Sequence, residues 1–509
     1  MVRVFIYQHH LFFTVRFKDV RDVKIISPLL YNLTTYEFVW NRNLKSHVRV
    51  PSRIYYEESN TKVQWYRFPI AQARTFMYLL RQSGVTRDEI EIHIAKDFDV
   101  AKLNLKVNKK YKLRDYQKQY RDQILNGKKS IYLIDAKTGS GKGLTSCATL
   151  CGLNMRTVIL VLPKFVDKWV YDALEYTNVK KDAIVTIQGR DSLVDLLNNQ
   201  DLLDDEKIKF IIISLRTMSN YIRDWLKFGQ ESGYPIHPDD LLLRLRAGVI
   251  YNDETHLDFH ALSRSLLYLD ARKFIGSTAT FDSNNKQLKR IYNYIIPPDQ
   301  RISNLVKRDP YVDAVAVRYH LQRSPVIRFE RDKGYSHNLY EQTLMRSRIG
   351  MINYEKMILF YIDKYYIQRK SNSDKCLLFF ASIEFCGHFV NVLKSKYRDL
   401  KIARFVEGDG YDELMSSDIC CSTVLKAGTG MDIPNLITVI QTISIYSLQS
   451  NLQSFGRLRK LDNRDLKFIW FWTSDIPNQT RLHHERLRLL QSEFKIYEEE
   501  LYEPVIKTR

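Results

Sequence analysis

The sequence lacks four features that would place it in other classes of protein. It contains no apolar run of about 18 residues, so no membrane span is predicted, and residues 1–17 have no continuous apolar stretch and no small-residue cleavage site. Its six cysteines form no C-x-x-C pair. The pair His483-His484 lacks the H-E-x-x-H order of a zinc helix. We therefore expect a cytoplasmic protein with reduced, buried thiols.

What the sequence does contain is core material and positive charge. Hydrophobic residues make up 45% of the 509 residues and charged residues 27%, which is a globular composition long enough for two to four domains. The formal net charge of +20 favours a polyanionic partner, most simply nucleic acid, over an excess of lysine and arginine that serves solubility alone. Composition leaves the oligomeric state open, and a monomer is compatible with it.

A glycine-rich turn follows the β-like apolar run at residues 131–135. Its small residues let backbone N–H groups turn inward around a phosphate, and a lysine at its end reaches the outer oxygens. The turn consists of Ala136, Lys137, Thr138, Gly139, Ser140, Gly141 and Lys142. It predicts a site for a nucleoside triphosphate such as ATP.

Two positions depart from the usual phosphate-loop pattern. Ala136 stands where the first glycine is common, and Gly143 stands where a Ser or Thr hydroxyl normally ligands Mg²⁺. Thr145 lies two helical steps of about 100° each further on and points elsewhere. We therefore expect water held by Asp253, rather than Thr145, to complete the Mg²⁺ shell.

An acidic pair follows a third apolar run, residues 247–252. Asp253 is predicted to hold Mg²⁺, and Glu254 to polarise the water that attacks the phosphate. A solvated turn is the alternative for such a pair. Its position after a buried strand and downstream of a phosphate loop favours the functional interpretation.

Further apolar runs at 157–162 and 210–214, with helical segments between them, predict a doubly wound parallel sheet. Gln117, upstream of the phosphate loop, carries an amide that can pair with the adenine edge, although an amphipathic helix start is the alternative. Residues 277–280 form a hydroxyl-rich turn at another strand end.

The fold prediction is therefore α/β, with doubly wound parallel-sheet lobes preceded by a small α+β unit; the family resemblance of the motifs implies two such lobes, both RecA-like. The domain boundaries are 1–105 for the N-terminal accessory unit, 106–300 for lobe one and 301–509 for lobe two. In lobe two we expect a strand at 376–382, a strand with a glycine turn at 423–432, a cationic helix at 453–460 and an amphipathic helix at 481–501.

The ordered motifs between residues 113 and 460 resemble superfamily-two helicases of the D-E-x-H type. The small N-terminal unit and the domain order are similar to phage recombination and repair helicases of the UvsW type.

The resemblance implies a role for each motif residue. ATP contacts are implied for Arg114, Gln117, Thr138, Gly139, Ser140, Gly141, Lys142, Gly143, Asp432 and Arg457. Catalysis is implied for Lys142, Glu254, Arg457 and Lys460, and the metal role for Asp253. Coupling of hydrolysis to motion is implied for His256, Ser277, Thr278, Thr280 and Gln453. Contacts to the nucleic-acid backbone are implied for Pro163, Lys164, Arg216, Thr217, Ser382 and Thr423.

Two questions stay open in this interpretation. The family's second motif-VI arginine is replaced by Lys460, so Arg457, Arg459 and Lys460 are all candidates for the cation that stabilises transition-state charge. The expected activity is that of an ATP-driven helicase on branched or partly single-stranded DNA. The alternatives are a double-strand translocase, an RNA helicase, and a nucleotide-gated scaffold without turnover.

Overall fold

The chain divides into two compact units, Met1–Val306 and Lys307–Arg509. The structure, a computed structural model, describes residues 2–41, 46–59, 64–137, 139–279, 281–283, 285–303, 310–322, 324–331, 334–427 and 433–508. Thr138, Thr280 and the expected glycine turn ending at Asp432 lie outside these residues.

The N-terminal part of the first unit is a small α+β structure, as predicted. Its elements are β1 (Val4–Gln8), β2 (Phe12–Phe17), α1 (Ser27–Asn32), β3 (Thr34–Asn41), β4 (Ser46–Arg53), β5 (Tyr56–Ser59), β6 (Gln64–Pro69), α2 (Ala73–Gln82) and β7 (Ile90–Ile94). Within the described residues the sheet order is β5-β6-β2-β1-β7, and β3 and β4 form a separate hairpin. Strand β7 pairs with β1 in parallel, whereas the other neighbours are antiparallel.

Lobe one follows in the same unit. Its strands are β8 (Ile131–Asp135), β9 (Thr157–Val161), β10 (Ile184–Ile187), β11 (Phe210–Ser214), β12 (Val249–Asp253), β13 (Lys273–Thr278) and β14 (Arg301–Ser303). Its helices are α3 (Asp115–Asn126), α4 (Lys142–Leu153), α5 (Val166–Tyr176), α6 (Arg190–Asn198), α7 (Gln200–Asp204), α8 (Leu215–Phe228), α9 (Leu241–Arg244), α10 (Phe259–Ser265) and α11 (Lys286–Ile295). In the described part of the chain, the sheet order is β10-β11-β9-β12-β13-β8-β14, with parallel pairing throughout.

Both faces of the lobe-one sheet are covered, which is why its strands are apolar at successive positions. In β8, Ile131 and Leu133 point into one core, whereas Tyr132 and Ile134 point into the other. The first of these cores also contains buried residues of the N-terminal sheet, such as Val15 and Phe68. The N-terminal part and lobe one therefore share one continuous hydrophobic core.

Polar contacts reinforce this shared core. The Arg67 guanidinium donates to both carboxylate oxygens of Asp239, at 2.7 and 2.8 Å, and to the carbonyl oxygen of Leu267 at 2.9 Å. The Gln72 amide donates to the Tyr294 carbonyl at 2.7 Å. The N-terminal part is thus joined to lobe one by charge-assisted hydrogen bonds as well as by apolar packing.

The connector between them lies against lobe one. The Ala101 N–H donates to the Arg246 carbonyl at 3.0 Å, and the Lys106 N–H donates to the Asn178 side chain at 2.8 Å. Ala101 and Leu103 are buried, while Lys102, Lys106 and Lys109 are exposed. The backbone hydrogen bonds hold these exposed lysines in place.

Lobe two forms the second unit. Its strands are β15 (Val312–Gln322), β16 (Glu330–Arg331), β17 (Gly334–Tyr335), β18 (Lys375–Phe380), β19 (Ile402–Phe405), β20 (Ile419–Thr423), β21 (Leu436–Gln441), β22 (Leu466–Trp472) and β23 (Phe494–Lys507). Its helices are α12 (His337–Met345), α13 (Arg348–Ile362), α14 (Ile383–Lys396), α15 (Tyr411–Ser416), α16 (Val424–Ala427), α17 (Leu448–Phe455) and α18 (Pro477–Leu490). The described residues form a parallel sheet of order β19-β20-β18-β21-β22-β15-β23, and β16 and β17 form a separate hairpin.

Three expectations for lobe two were wrong in detail. The helix expected over 481–501 ends at Leu490, and the chain continues as β23, which pairs in parallel with β15. Pairing with the long neighbouring strand outweighs the helical propensity of its glutamates. The helix expected over 453–460 is α17, which ends at Phe455. The strand expected to begin at residue 423 is β20, which instead ends at Thr423 and is followed by α16.

Among the helices of the described residues, none combines the length and the apolar character that crossing a bilayer requires.

A histidine pair links the N-terminal part to lobe one. His9 Nδ1 lies 2.9 Å from Asp270 Oδ2, and the His10 N–H donates to Asp270 Oδ1 at 2.7 Å. The hydrogen bond with Asp270 raises the pKa of His10, against the effect of burial, and Asp97 adds to the rise while Arg272 opposes it. Burial alone would raise the pKa of Asp270, but the hydrogen bonds from His10 and His9 lower it well below its usual range.

We predict that this link weakens at alkaline pH. A raised folded-state pKa for His10 gives stabilisation that is complete below the unfolded value of about 6.5 and is lost as pH rises through the folded value. The urea midpoint should therefore fall between about pH 6 and about pH 8, and Asp270→Asn should flatten this dependence. His93→Gln, at an exposed position in β7, is the control. An unchanged pH slope in Asp270→Asn would contradict the prediction.

Candidate nucleotide-binding site

The predicted phosphate loop lies between β8 and α4, at the carboxyl end of the sheet. Gly139 and Gly141 have φ angles of 75° and 76°, a left-handed backbone that side chains disfavour. The Ser140 N–H donates to the Lys137 carbonyl at 3.2 Å, and Lys142 begins α4, its ammonium 3.2 Å from the Ala136 carbonyl. The glycines thus curl the backbone into a loop at a helix N-terminus, an arrangement that accepts phosphate.

Gln117 packs directly on this loop. It is 3% exposed, its side-chain oxygen accepts from the Arg114 N–H at 2.9 Å, and its amide nitrogen donates to the carbonyls of Ser140 and Gly141 at 3.3 Å. The Arg114 guanidinium donates to the Tyr116 hydroxyl at 3.0 Å. The start of α3, predicted to read adenine, is therefore hydrogen-bonded to the phosphate loop.

Asp253, at the end of β12, receives hydrogen bonds from three elements. Its Oδ2 accepts from Lys168 Nζ at 2.7 Å and from Trp169 Nε1 at 3.0 Å, both on α5. Its Oδ1 accepts from the Ser277 hydroxyl at 2.7 Å and from the Glu254 N–H at 3.0 Å. Burial alone would raise the pKa of Asp253, but Lys168 and the Ser277 hydroxyl lower it to about 2, so the carboxylate is ionised.

A chain of hydroxyl groups joins the phosphate-loop helix to this carboxylate. The Ser146 hydroxyl on α4 donates to the Tyr251 hydroxyl at 2.9 Å, and Tyr251 lies 2.6 Å from Ser277 Oγ. Ser277 in turn donates to Asp253. The helix after the loop, β12 and β13 are thereby held in one buried polar network.

Glu254 and His256 follow in the turn after β12. Glu254 has φ 51°, an uncommon conformation for a non-glycine residue, and its carboxylate lies 3.5 Å from His256 Nδ1. That nitrogen is also 2.7 Å from the Thr278 hydroxyl. Burial lowers the pKa of His256. The coupling residues predicted at 256, 277 and 278 are therefore brought beside the acidic pair.

Gly143 faces α5. A Cβ added at Gly143 would lie 3.0 Å from Asp172 Oδ2 and 3.2 Å from Tyr176 Cε2. The Thr145 hydroxyl is buried and donates to the Gly141 carbonyl of its own helix at 3.0 Å, so it is turned away from the loop's phosphate-facing side.

The predicted backbone contacts of lobe one differ in exposure. Pro163 and Lys164 are exposed immediately after β9, and Arg216 is exposed near the start of α8. Thr217 is 4% exposed, with its hydroxyl 2.8 Å from Ser214 Oγ and accepting from the Gly189 N–H at 2.8 Å. Thr217 therefore fixes local structure, whereas the other side chains are open to solvent.

The predicted residues of lobe two are mostly buried. Ser382 is 4% exposed and donates its N–H and hydroxyl to Glu341 Oε2 at 2.8 and 3.0 Å. Burial raises the pKa of Glu341 to about 8, although the N–H groups of Ala381 and Ser382 oppose the rise. Thr423 is half-buried at the end of β20.

The cations of motif VI lie around the end of α17. Arg457 is 3% exposed and donates to the Gln453 carbonyl at 3.3 Å. Arg459 is half-buried and donates to the Gly456 carbonyl at 2.8 Å, while Lys460 is exposed. Buried Arg457 and exposed Lys460 thus occupy very different environments.

Sequence reasoning missed the two partners that α5 gives Asp253 and the two hydroxyl groups behind Ser277. Lys168 and Trp169 lie more than 80 residues upstream, and Ser146 and Tyr251 are ordinary helix and strand residues. The only signal in the sequence was the i,i+4 spacing of Lys168 and Asp172 on one helix, which suggests an ion pair between them. Nothing in that spacing indicates that Lys168 also contacts Asp253.

The donors present fit a divalent cation of the magnesium type. Carboxylate oxygen is the ligand that Mg²⁺ prefers, and Mg²⁺ is usually held by one or two carboxylates together with water and substrate phosphates. Asp253 is ionised and stands in the same hydrogen-bonded network as the helix that follows the phosphate loop.

Comparison with known proteins gives a family match over part of lobe one and likenesses to solved structures. Residues 110–283, less than half of the chain, match the family model described as type III restriction enzyme, res subunit. No curated protein matches the chain. Among solved structures, S. cerevisiae Dbp5 bound to RNA and ADP BeF3 aligns with a TM-score of 0.50 at 12% identity, covering 77% of this chain and 90% of that one. A leucine-to-valine variant of S. cerevisiae Dbp5, bound to the same ligands, aligns with a TM-score of 0.48 at 11% identity, covering 78% and 91%.

The class defined by these findings is a protein with two RecA-like α/β lobes of the helicase fold and a small N-terminal unit. The family match covers residues 110–283, which include the phosphate loop and the acidic pair of lobe one.

We predict that Gly141→Ala destabilises the protein more than Gly84→Ala does. Both glycines have φ 76°, where alanine costs about 1–2 kcal/mol. A Cβ at Gly141 would lie 2.6 Å from Gln117 Nε2, whereas none of the described atoms lies within 4 Å of one at Gly84. The lost amide hydrogen bonds should add about 1–3 kcal/mol in urea unfolding. In a Gln117→Ala background this difference should disappear, and its persistence would contradict the explanation.

Proposed function

We propose that the chain is an ATP-dependent motor, a helicase or translocase of the D-E-x-H type, that acts on branched or partly single-stranded DNA. The observation that carries the proposal is the buried network that joins the phosphate-loop helix, through Ser146, Tyr251 and Ser277, to Asp253. This network connects the helix that follows the phosphate loop to the carboxyl ends of β12 and β13.

The nucleotide site is assigned to lobe one. The loop ending at Lys142 would hold the phosphates, and Gln117 would read adenine from its place against the loop. Mg²⁺ would be held by Asp253 and, when bound, would neutralise charge on the phosphate oxygens. Arg457, Arg459 and Lys460 are the candidates for the cation that stabilises transition-state charge, and burial against a carbonyl favours Arg457 as a preorganised guanidinium.

Glu254 is assigned the role of polarising the attacking water. The residue is 7% exposed and its Oε2 accepts no hydrogen bond from the described residues. The left-handed turn at Glu254 holds this carboxylate beside His256. An acceptor oxygen with unused capacity at a strand end suits a general base.

The nucleic-acid partner is assigned by charge. A formal net charge of +20 favours a polyanion, and exposed Lys164 and Arg216 offer sequence-independent phosphate contacts. The preference for branched DNA rests on the N-terminal unit and on similarity to UvsW-type recombination and repair helicases. The competing alternatives are an RNA helicase and a translocase that moves along duplex DNA without unwinding it. The panel of nucleic-acid ligands used below distinguishes them.

We predict that Glu254→Gln binds ATP but hydrolyses it about 10²- to 10⁴-fold more slowly, because the amide cannot accept the water's proton. ATP binding is measured with a fluorescent analogue and turnover by phosphate release, with and without single-stranded DNA. Glu231→Gln, on a surface turn outside the site, serves as the matched control. Near wild-type turnover in Glu254→Gln would remove this residue from the role, and absence of turnover in the wild-type protein would favour the scaffold alternative.

We predict that the exposed connector lysines contribute to DNA binding and to the preference for branched DNA. The N-terminal part shares a core with lobe one, so substitution is a cleaner test than deletion. Changing Lys102, Lys106, Lys109 and Lys112 to glutamine should flatten the dependence of log K on log salt by roughly 0.9 per lost phosphate contact on duplex DNA. The same substitutions should also decrease the preference of the protein for forks and four-way junctions over linear DNA.

The control is a variant in which three exposed lysines elsewhere in lobe one, Lys207, Lys227 and Lys286, are changed to glutamine. Both variants should keep ATPase activity stimulated by single strands. The measurement is binding and ATPase activity against single-stranded, duplex, forked, four-way and RNA ligands. A connector variant that discriminates junctions as well as the wild-type protein does would contradict the assignment.

A further inference from the structure

The position that lacks a metal-binding hydroxyl lies beside a carboxylate from another element. Residue 143, directly after the loop lysine, is glycine, and Asp172 Oδ2 lies 3.0 Å from where its Cβ would be. A threonine at 143 would press its side chain against this carboxylate. The hydroxyl and the Asp172 carboxylate therefore compete for one small volume, and this chain contains the carboxylate.

Asp172 is also connected to the acidic residue of the site. Lys168 Nζ lies 2.7 Å from Asp253 Oδ2 and 3.3 Å from Asp172 Oδ2, so one ammonium group bridges two carboxylates. The Asp253 and Asp172 side chains are 6% and 10% exposed, whereas that of Lys168 is 30% exposed. Two buried carboxylates this close to one ammonium need a cation between them, because their mutual repulsion is poorly screened.

Two buried oxygens of the site form no hydrogen bond with any described residue, and one of them faces His256 Nδ1 at 3.5 Å. Among the described residues, Ser140 Oγ in the phosphate loop and Glu254 Oε2 beside Asp253 accept or donate no hydrogen bond. Both residues are more than nine-tenths buried. Buried polar groups are normally satisfied, so one unsatisfied oxygen in the phosphate loop and one in the acidic pair leave hydrogen-bonding capacity for a ligand.

We propose that Asp172 replaces the missing phosphate-loop hydroxyl in binding Mg²⁺, and that the Lys168 ammonium is a built-in cation that leaves the Asp253–Asp172 pair when the metal enters. This inference rests on the proposed function, because it concerns the metal of the same nucleotide site. No covalent bond changes: one cation is exchanged for another.

The chemistry of the lysine side chain suits this exchange. Its ammonium is a compact point charge on a flexible four-carbon stem, and Lys168 is already partly exposed, so the group can move to solvent without unfolding α5. Mg²⁺ satisfies two carboxylates better than a single positive charge does, and phosphate oxygens complete its shell. Lys168 thereby keeps the carboxylates paired whenever no metal is present.

The test measures metal binding without nucleotide. Mn²⁺ binding to the full-length protein is followed by electron paramagnetic resonance, so the result does not depend on ATP hydrolysis. Asp172→Asn should weaken Mn²⁺ binding by about 10- to 100-fold, and Lys168→Met should tighten it by a similar factor because the competing cation is gone. Asp167→Asn, an exposed carboxylate on the same helix, and Lys181→Met, an exposed lysine just beyond it, should leave Mn²⁺ affinity unchanged.

A second variant pair tests the exchange of ligands. Gly143→Thr alone should crowd Asp172 and weaken Mn²⁺ binding, whereas Gly143→Thr combined with Asp172→Ala should restore it to within a few-fold of wild type. If Lys168→Met folds poorly, Mn²⁺ should restore its thermal midpoint, since a ligand that binds only the folded state stabilises it.

Two results would overturn the proposal. One is an Asp172→Asn variant that lowers the urea midpoint but leaves Mn²⁺ affinity unchanged, which would make Asp172 only a structural partner of Lys168. The other is a Lys168→Met variant with unchanged Mn²⁺ affinity and no Mn²⁺-dependent gain in midpoint. Loss of the proposed function is a separate outcome: shifts in Mn²⁺ affinity without any ATPase activity in the wild-type protein would uphold the metal site and reject the motor.

Discussion

The Asp253 carboxylate is the constraint on which the rest of lobe one depends. It is buried and ionised, so it needs several donors, and they come from α5, from β13 and from its own turn. Satisfying it fixes the distance between α5 and the end of β12. It also positions Ser277, through which Tyr251 and the phosphate-loop helix are held. A single buried charge thus organises the ends of β12 and β13, helix α5 and the phosphate-loop helix around one site.

Lobe two uses buried polar groups in a similar way. Glu341 on α12 binds the N–H groups of Ala381 and Ser382 where β18 gives way to α14. Arg486, which is 2% exposed, donates to the Asn451 side chain at 2.7 Å and to the Ile443 carbonyl at 2.9 Å, which ties α18 to α17. Burial lowers the pKa of Arg486 to about 9. In both lobes, polar side chains from one helix fix the backbone at the end of a neighbouring element.

Sequence reasoning located the elements that bury apolar runs and missed interactions that depend on distant pairing. The apolar runs predicted at 131–135, 157–162, 210–214 and 247–252 each coincide with a strand to within two residues, because both faces of the parallel sheet are covered and its strands are continuously apolar. Strand β23 was missed because its partner β15 lies about 180 residues upstream and its own glutamates favour helix. The Lys168 bridge was missed for the same reason: no local pattern joins residue 168 to residue 253.

The shared core of the N-terminal sheet and lobe one also sets the order in which the protein can fold on the ribosome. The sheet residues emerge first, but partners such as Asp239, Asp270 and Tyr294 follow about 200 residues later. At a synthesis rate of about 5–20 residues per second, the apolar face that includes Val15 and Phe68 stays exposed for roughly 10 to 40 seconds before the lobe-one residues that bury it have been made. During that interval it is open to aggregation or to chaperone binding, a vulnerability that a free-standing N-terminal domain would not have.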